Sequence, residues 1–223
     1  MCFSPSASFG AVVVLSAVGA VAMSRADTAP KKVLCAIPFI FAFQQFIEGI
    51  LWLSLLHSQW AAFTTSATYA FLVFAQAVWP VYIPFVILLF ENDVRRKKLI
   101  SAFVIFGVLF ALQALYSIFF YGIGVQAQHN HIQYKLGFSL TQKWYYGLLY
   151  FVPTVVAPLL STKKSLHWLG YVFFVSYLGA RLLFHLYVIS VWCFFGALTS
   201  VVVLMIVTRM RVEKAQAAVE RQG

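Results

Sequence analysis

The sequence predicts an all-α, polytopic integral membrane protein: one bundle of seven transmembrane helices, with its N-terminus outside and its C-terminus cytoplasmic. Three observations carry this expectation. The chain is 62% hydrophobic and 10% charged, with a mean hydropathy of +0.87, far from the balance of a soluble domain. Its apolar runs are long enough to cross a hydrocarbon core roughly 30 Å thick. Its basic residues gather in alternate breaks between those runs, as membrane orientation requires.

The spans fall near 6–23, 33–56, 66–90, 99–121, 143–161, 166–186 and 189–208. The first opens with Ser4 as N-cap and Pro5 at the first helical position, where a missing N–H is harmless. No Lys or Arg precedes it and no cleavage site follows, so it reads as a span and not as a signal peptide. The second contains "FQQFIEGILW", with Gln44, Gln45 and Glu48 inside an apolar run. The third carries Pro80 and Pro84, which free the carbonyls of Gln76 and Pro80. Pro153 does the same for Leu149 in the fifth, whose outer aromatics Trp144, Tyr145, Tyr146 and Tyr150 read as an interfacial belt. Between the fourth and fifth spans lies an outer loop, and a very tight turn joins the sixth to the seventh. Residues 1–208 thus form the membrane domain, and 209–223 a basic tail read as a short helix extension or a frayed end.

Charge orients the bundle. Arg25, Lys31 and Lys32 lie in the first loop, Arg95, Arg96, Lys97 and Lys98 in the third, Lys163 and Lys164 in the fifth, and Arg209, Arg211, Lys214 and Arg221 in the tail. With seven spans all of these share the cytoplasmic side, leaving Lys135 and Lys143 outside and Arg181 within a helix. Six spans would turn the basic tail outward. The net charge of +10 is therefore one of orientation, and without a separate basic domain it does not indicate nucleic-acid binding.

Measured from the basic rim at about 1.5 Å per residue, Glu48, Gln113, Arg181 and Cys193 share one depth, and Gln76 lies close to it. Gln44, Glu48 and Trp52 recur every four residues with Gln45 beside them, and Tyr177, Arg181 and His185 repeat the pattern in the sixth span. Gln113 shares a face with Tyr116 and Ser117. A carboxylate at such depth needs a partner, a cavity or a ligand. The expected partner of Glu48 is Arg181, with Gln44, Gln76 and Gln113 completing the hydrogen bonds, either as a bundle clasp or as the centre of a pocket.

Other chemistries find less support. No lysine stands in the interior of a span, which excludes a retinal Schiff base. Of the five histidines, His57, His129, His131 and His185 fall on the outer side and are the candidate metal ligands, although "HNH" at 129–131 reads more simply as exposed loop. His167 stands at the cytoplasmic entrance to the sixth span. Cys2, Cys35 and Cys193 are too scattered for a disulfide framework. Cys2 and Cys193 begin the first and last spans, where separate thiols, a disulfide or a metal and redox site all fit.

"MCFSPSASF", "QQFIEGILWLSL" and "SVWCFF", in that order, resemble an uncharacterised bacterial family of integral membrane proteins opening with Met-Cys-Phe-Ser. The resemblance covers nearly the whole chain. It implies a multi-pass protein of the bacterial inner membrane and draws attention to Cys2, Gln45, Glu48 and Cys193, without implying an activity, substrate or cofactor. Three functional expectations remain: a protein binding a small polar molecule or ion in an outward-facing intramembrane pocket, as sensor or transporter; a structural or assembly protein with a buried Glu-Arg clasp; or an outer-face metal- or thiol-dependent enzyme. The expected partners are the lipid bilayer and a small ligand or ion. No catalytic constellation and no cofactor follow from the residues.

Overall fold

The computed structural model describes residues 4–128, 131–137, 144–183 and 187–220. Ser4 caps α1 (Pro5–Ser24) by accepting from the Ala7 N–H at 3.2 Å. The next rod is α2 (Ala29–Cys35) followed by α3 (Ile37–Leu56), broken at Ala36, two residues ahead of Pro38. A 3-10 turn (Ser58–Phe63), α4 (Thr64–Val73), a π-helical turn (Phe74–Val78) and α5 (Trp79–Phe90) make the third. Asp93 caps α6 (Val94–Tyr121) through the Arg96 N–H at 2.8 Å, and Gly122, with φ of 73°, ends it in the left-handed region. After a β-hairpin come α7 (Trp144–Phe151), a second π turn (Val152–Val156) and α8 (Ala157–Leu159), then α9 (His167–Leu183), α10 (Val188–Ala197) and α11 (Thr199–Glu220). Among the described residues, five helical segments are long and apolar enough to cross a membrane: Pro5–Ser24, Ala29–Leu56, Ser58–Phe90, Val94–Tyr121 and Lys164–Leu183. This is a helical, multi-pass membrane protein.

The prolines act as their chemistry requires. Pro80 cannot donate to the Gln76 carbonyl, and the helix widens into a π turn immediately before it; Pro153 lies within the other π turn. Pro84 leaves the Pro80 carbonyl without its helical donor, and that carbonyl faces α6 at Gly107. A Cβ on Gly107 would lie 2.0 Å from the Pro80 oxygen. The glycine thus lets α5 and α6 approach to backbone contact.

The segment expected to be an outer loop contains two antiparallel strands, β1 (Ile123–Gln128) and β2 (His131–Leu136), paired from Ile123↔Leu136 to Gln128↔His131. Alternation sends Ile132 and Tyr134 inward, where the Tyr134 ring stacks on Phe71 with centroids 5.0 Å apart. The hairpin joins Ile47, Leu51, Trp52, Phe71, Leu72 and Ile118 in one apolar cluster. A second cluster holds Leu34, Phe41, Trp79, Ile83, Ile87, Leu169, Phe173 and Val203. Along α3 the changeover between the two comes where Gln44, Gln45 and Glu48 stand.

At the basic end, two loops are clasped together. Glu91 is buried, 2% exposed, and accepts from the backbone N–H groups of Asn92, Asp93 and Thr162 and from the Thr162 hydroxyl, at 2.8 to 3.0 Å. Arg96 donates to the Leu160 carbonyl at 2.9 Å across the same gap. Burial pushes the Glu91 pKa up, but these hydrogen bonds outweigh it and hold the carboxyl below its ordinary value of 4.5.

Two predictions follow from these contacts. Gly107→Ala should lower the melting temperature in detergent, with an overpacking cost of about 1–3 kcal/mol. Gly10→Ala is the control, because a Cβ there meets nothing within 4 Å. For Glu91, a folded-state pKa below the unfolded one gives stability that is complete above the unfolded value and lost as pH falls through the folded value. Acid melting curves of wild type should therefore lose stability below the ordinary carboxylate range, and Glu91→Gln should remove that part of the pH dependence.

Candidate functional site

Gln44, Gln45 and Glu48 are wholly buried on consecutive turns of α3. Spacings of three and four residues bring them to neighbouring positions on one side of the helix. Glu48 accepts from the Ser190 hydroxyl of α10 at 2.6 Å and from Gln45 Nε2 at 3.0 Å. Hydrogen bonds of this kind make a buried carboxylate tolerable in an apolar surround. Gln44 Oε1 accepts from the Trp79 indole N–H at 2.9 Å, and the Trp79 ring stacks on Phe41 with centroids 3.9 Å apart. One turn of α3 is thereby tied to both α5 and α10.

Gln76 precedes Trp79 by three residues. It is buried within the π turn. Trp52 is buried one turn beyond Glu48, in the cluster beneath the hairpin. Ser8 of α1 is also buried; its neighbour Phe9 packs against Gly49, where a Cβ would lie 2.8 Å from the ring. Five polar atoms of this group have no hydrogen-bond partner among the described residues: the donors Gln44 Nε2 and Trp52 Nε1, the acceptors Gln45 Oε1 and Gln76 Oε1, and the Ser8 hydroxyl.

Other expected members lie elsewhere. Arg181 is exposed, and among the described residues no ion pair joins it to Glu48; the ion pairs described are Lys31–Asp27 and Arg209–Glu213. The reason is helical phase. The buried stripe of α9 is Leu169, Gly170, Phe173, Ser176 and Ala180, which turns Arg181 about 100° away from the core. Tyr177 is half-buried, its ring against Phe151 and Trp192 with centroids 5.6 and 5.0 Å away. Gln113 is also half-buried and bonds within its own helix, to Ser117 Oγ at 2.8 Å, while Tyr116 is exposed.

Of the four aromatics expected in an interfacial belt, Tyr146 and Tyr150 are buried and both pack on Phe110, with centroids 5.1 and 5.7 Å away, while the side chains of Trp144 and Tyr145 lie outside the described residues. His131, expected in an exposed loop, is buried in β2 and stacked on Tyr187 with centroids 4.6 Å apart. His57 is exposed. Among the described residues no three His, Cys, Asp or Glu side chains gather as a metal site. Cys2, His129 and His185, and the side chain of Cys193, lie outside the described residues.

Sequence reasoning missed Ser190 and Trp79, the two cross-helix partners. A buried indole N–H needs an acceptor, and Ser190 opens the "SVWCFF" segment, but neither signal names the residue on the other helix.

The fold and this layer define a class: a multi-pass helical membrane protein whose core is divided by a hydrogen-bonded polar layer on its second long helix. The chain belongs to a family of unknown function, DUF6629, which it matches over residues 1–218. No curated protein and no solved structure matches it.

Trp79→Phe keeps the stack on Phe41 but leaves Gln44 Oε1 without its donor. It should cost about 1–3 kcal/mol, read as a fall in melting temperature in detergent. Arg181→Gln, on an exposed face, should change stability by no more than about 0.5 kcal/mol.

Proposed function

We infer that the protein binds a small polar molecule or ion within the membrane, in the layer around Glu48, acting as a sensor or transporter. The observation that carries this reading is a set of buried atoms without partners among the described residues: Gln44 Nε2, Gln45 Oε1, Gln76 Oε1 and Trp52 Nε1. Each orphaned buried group costs about 1–3 kcal/mol, and a bilayer core supplies no water to relieve it. Two donors and two acceptors beside a carboxylate suit a ligand that both donates and accepts, or a hydrated cation. Ordered water satisfies the same atoms, so the test must separate the two occupants.

The setting proposed is the bacterial inner membrane. The shorter apolar helix Tyr146–Leu159 and the α10–α11 rod complete seven spans. The basic residues of the alternate loops then lie in the cytoplasm and the hairpin outside. This topology puts the layer in the outer part of the bilayer, closed from the outside by Trp52, Ile132 and Tyr134.

A structural reading rests on a different observation, the Ser190–Glu48–Gln45 bonds that join α10 to α3. They would hold the bundle together with no ligand at all.

Native mass spectrometry of protein purified in mild detergent decides between the two. The expected result is a retained non-lipid polar mass in wild type that is lost in Gln45→Leu/Gln76→Leu. A wild type carrying no such mass, with a double variant at least as stable, contradicts ligand binding and leaves the clasp.

A further inference from the structure

The clasp at Glu91 brings two basic segments to one place. Arg95, Arg96, Lys97 and Lys98 open α6, and Lys163 and Lys164 belong to the loop that Glu91 and Arg96 hold through Thr162 and Leu160. The loop is closed from its other side by His167, whose Nε2 lies 2.8 Å from the Ser161 carbonyl and so carries the proton there. All six cations are exposed.

The two carboxylates nearby are already committed. Glu91 accepts from backbone and hydroxyl donors, and Asp93 caps α6. None of the six forms an ion pair among the described residues, where the pairs are Lys31–Asp27 and Arg209–Glu213. A tethered group of cations without counter-charges is an anion site awaiting its anion.

The neighbouring aromatics identify the medium. Trp168 and Tyr171, in the first turns of α9 just beyond Lys164, are 56% and 50% exposed and pack edge to face with centroids 5.9 Å apart. Exposed Trp and Tyr at the end of a membrane helix sit at headgroup level. They place the cations beside the phosphates of the leaflet.

We propose that Arg95, Lys97, Lys98, Lys163 and Lys164, gathered by the Glu91–Thr162 clasp, form a binding site for the headgroup of an anionic phospholipid. The phosphate lies between the α6 N-terminus and the 162–164 loop, and the acyl chains run along Trp168 and Tyr171. Arg96 serves the clasp and not the lipid. This site is independent of the polar layer around Glu48, so either can fail alone.

The test is titration of the detergent-purified protein with dioctanoyl-phosphatidylglycerol, dioctanoyl-phosphatidylcholine and glycerol 3-phosphate, read by native mass spectrometry. The variants are Lys163→Gln/Lys164→Gln, Arg95→Gln/Lys97→Gln and, as a control of equal charge, Arg209→Gln/Arg211→Gln in the tail. All six changed residues are exposed, and lipid-free melting temperatures should match wild type. Phosphatidylglycerol should bind wild type more tightly than phosphatidylcholine does. Each loop variant should weaken it by about 20- to 30-fold, at roughly fivefold per cation, and the tail variant should not. Equal binding of the two lipids, or an equal loss in the tail variant, overturns the site. Glycerol 3-phosphate binding as tightly as the lipid overturns the lipid assignment.

Discussion

A bilayer core offers no hydrogen-bond partners, so every polar atom placed there must find one in the protein or in something the protein holds. The Glu48–Ser190 bond is the point at which this constraint shapes the whole bundle. It takes a carboxylate on the second long rod and binds it to the last one, 142 residues away in sequence. Gln45 on the preceding turn adds a second donor, and Gln44 makes the corresponding link to Trp79. The apolar clusters on either side owe their separation to this layer. Phe41 and Trp79 close one, while Ile47, Leu51 and Trp52 begin the other.

Around that layer the helices depart from ideal geometry, and each departure has a cause. The two π turns accompany prolines that cannot donate, and one of them carries Gln76. The carbonyl released by Pro84 is pressed against Gly107, where a Cα–H can face it and a side chain cannot fit. The hairpin caps the opposite cluster by inserting Ile132 and Tyr134. At the basic end Glu91 ties two loops. These contacts hold the two ends of the bundle while the polar layer occupies the region between.

The long apolar helices were legible in the sequence, because membrane helices announce themselves by length and composition. The stripe of α3 could be read because four polar or aromatic residues stand at helical spacing in an otherwise apolar run. Arg181 could not be placed so simply. In a helix as apolar as α9, hydrophobicity does not mark the buried face; small residues such as Gly170, Ser176 and Ala180 do. A pattern one residue out of phase with them sends a charge outward. The hairpin was hidden differently. "IGVQAQ" and "HIQYKL" alternate as strands do, but a short polar segment between membrane spans reads first as loop. Ser190 and Trp79 belong to pairs separated by 142 and 35 residues, and no local pattern names such partners.

The central claim is that Glu48 is held by Ser190 across the α3–α10 contact. A double-mutant cycle on thermal stability, using Glu48→Gln, Ser190→Ala and the two together, measures that coupling directly. The account predicts a coupling energy of about 1.5–3 kcal/mol, the range for a hydrogen bond to a charged group. Losses that simply add, with no coupling, would contradict it.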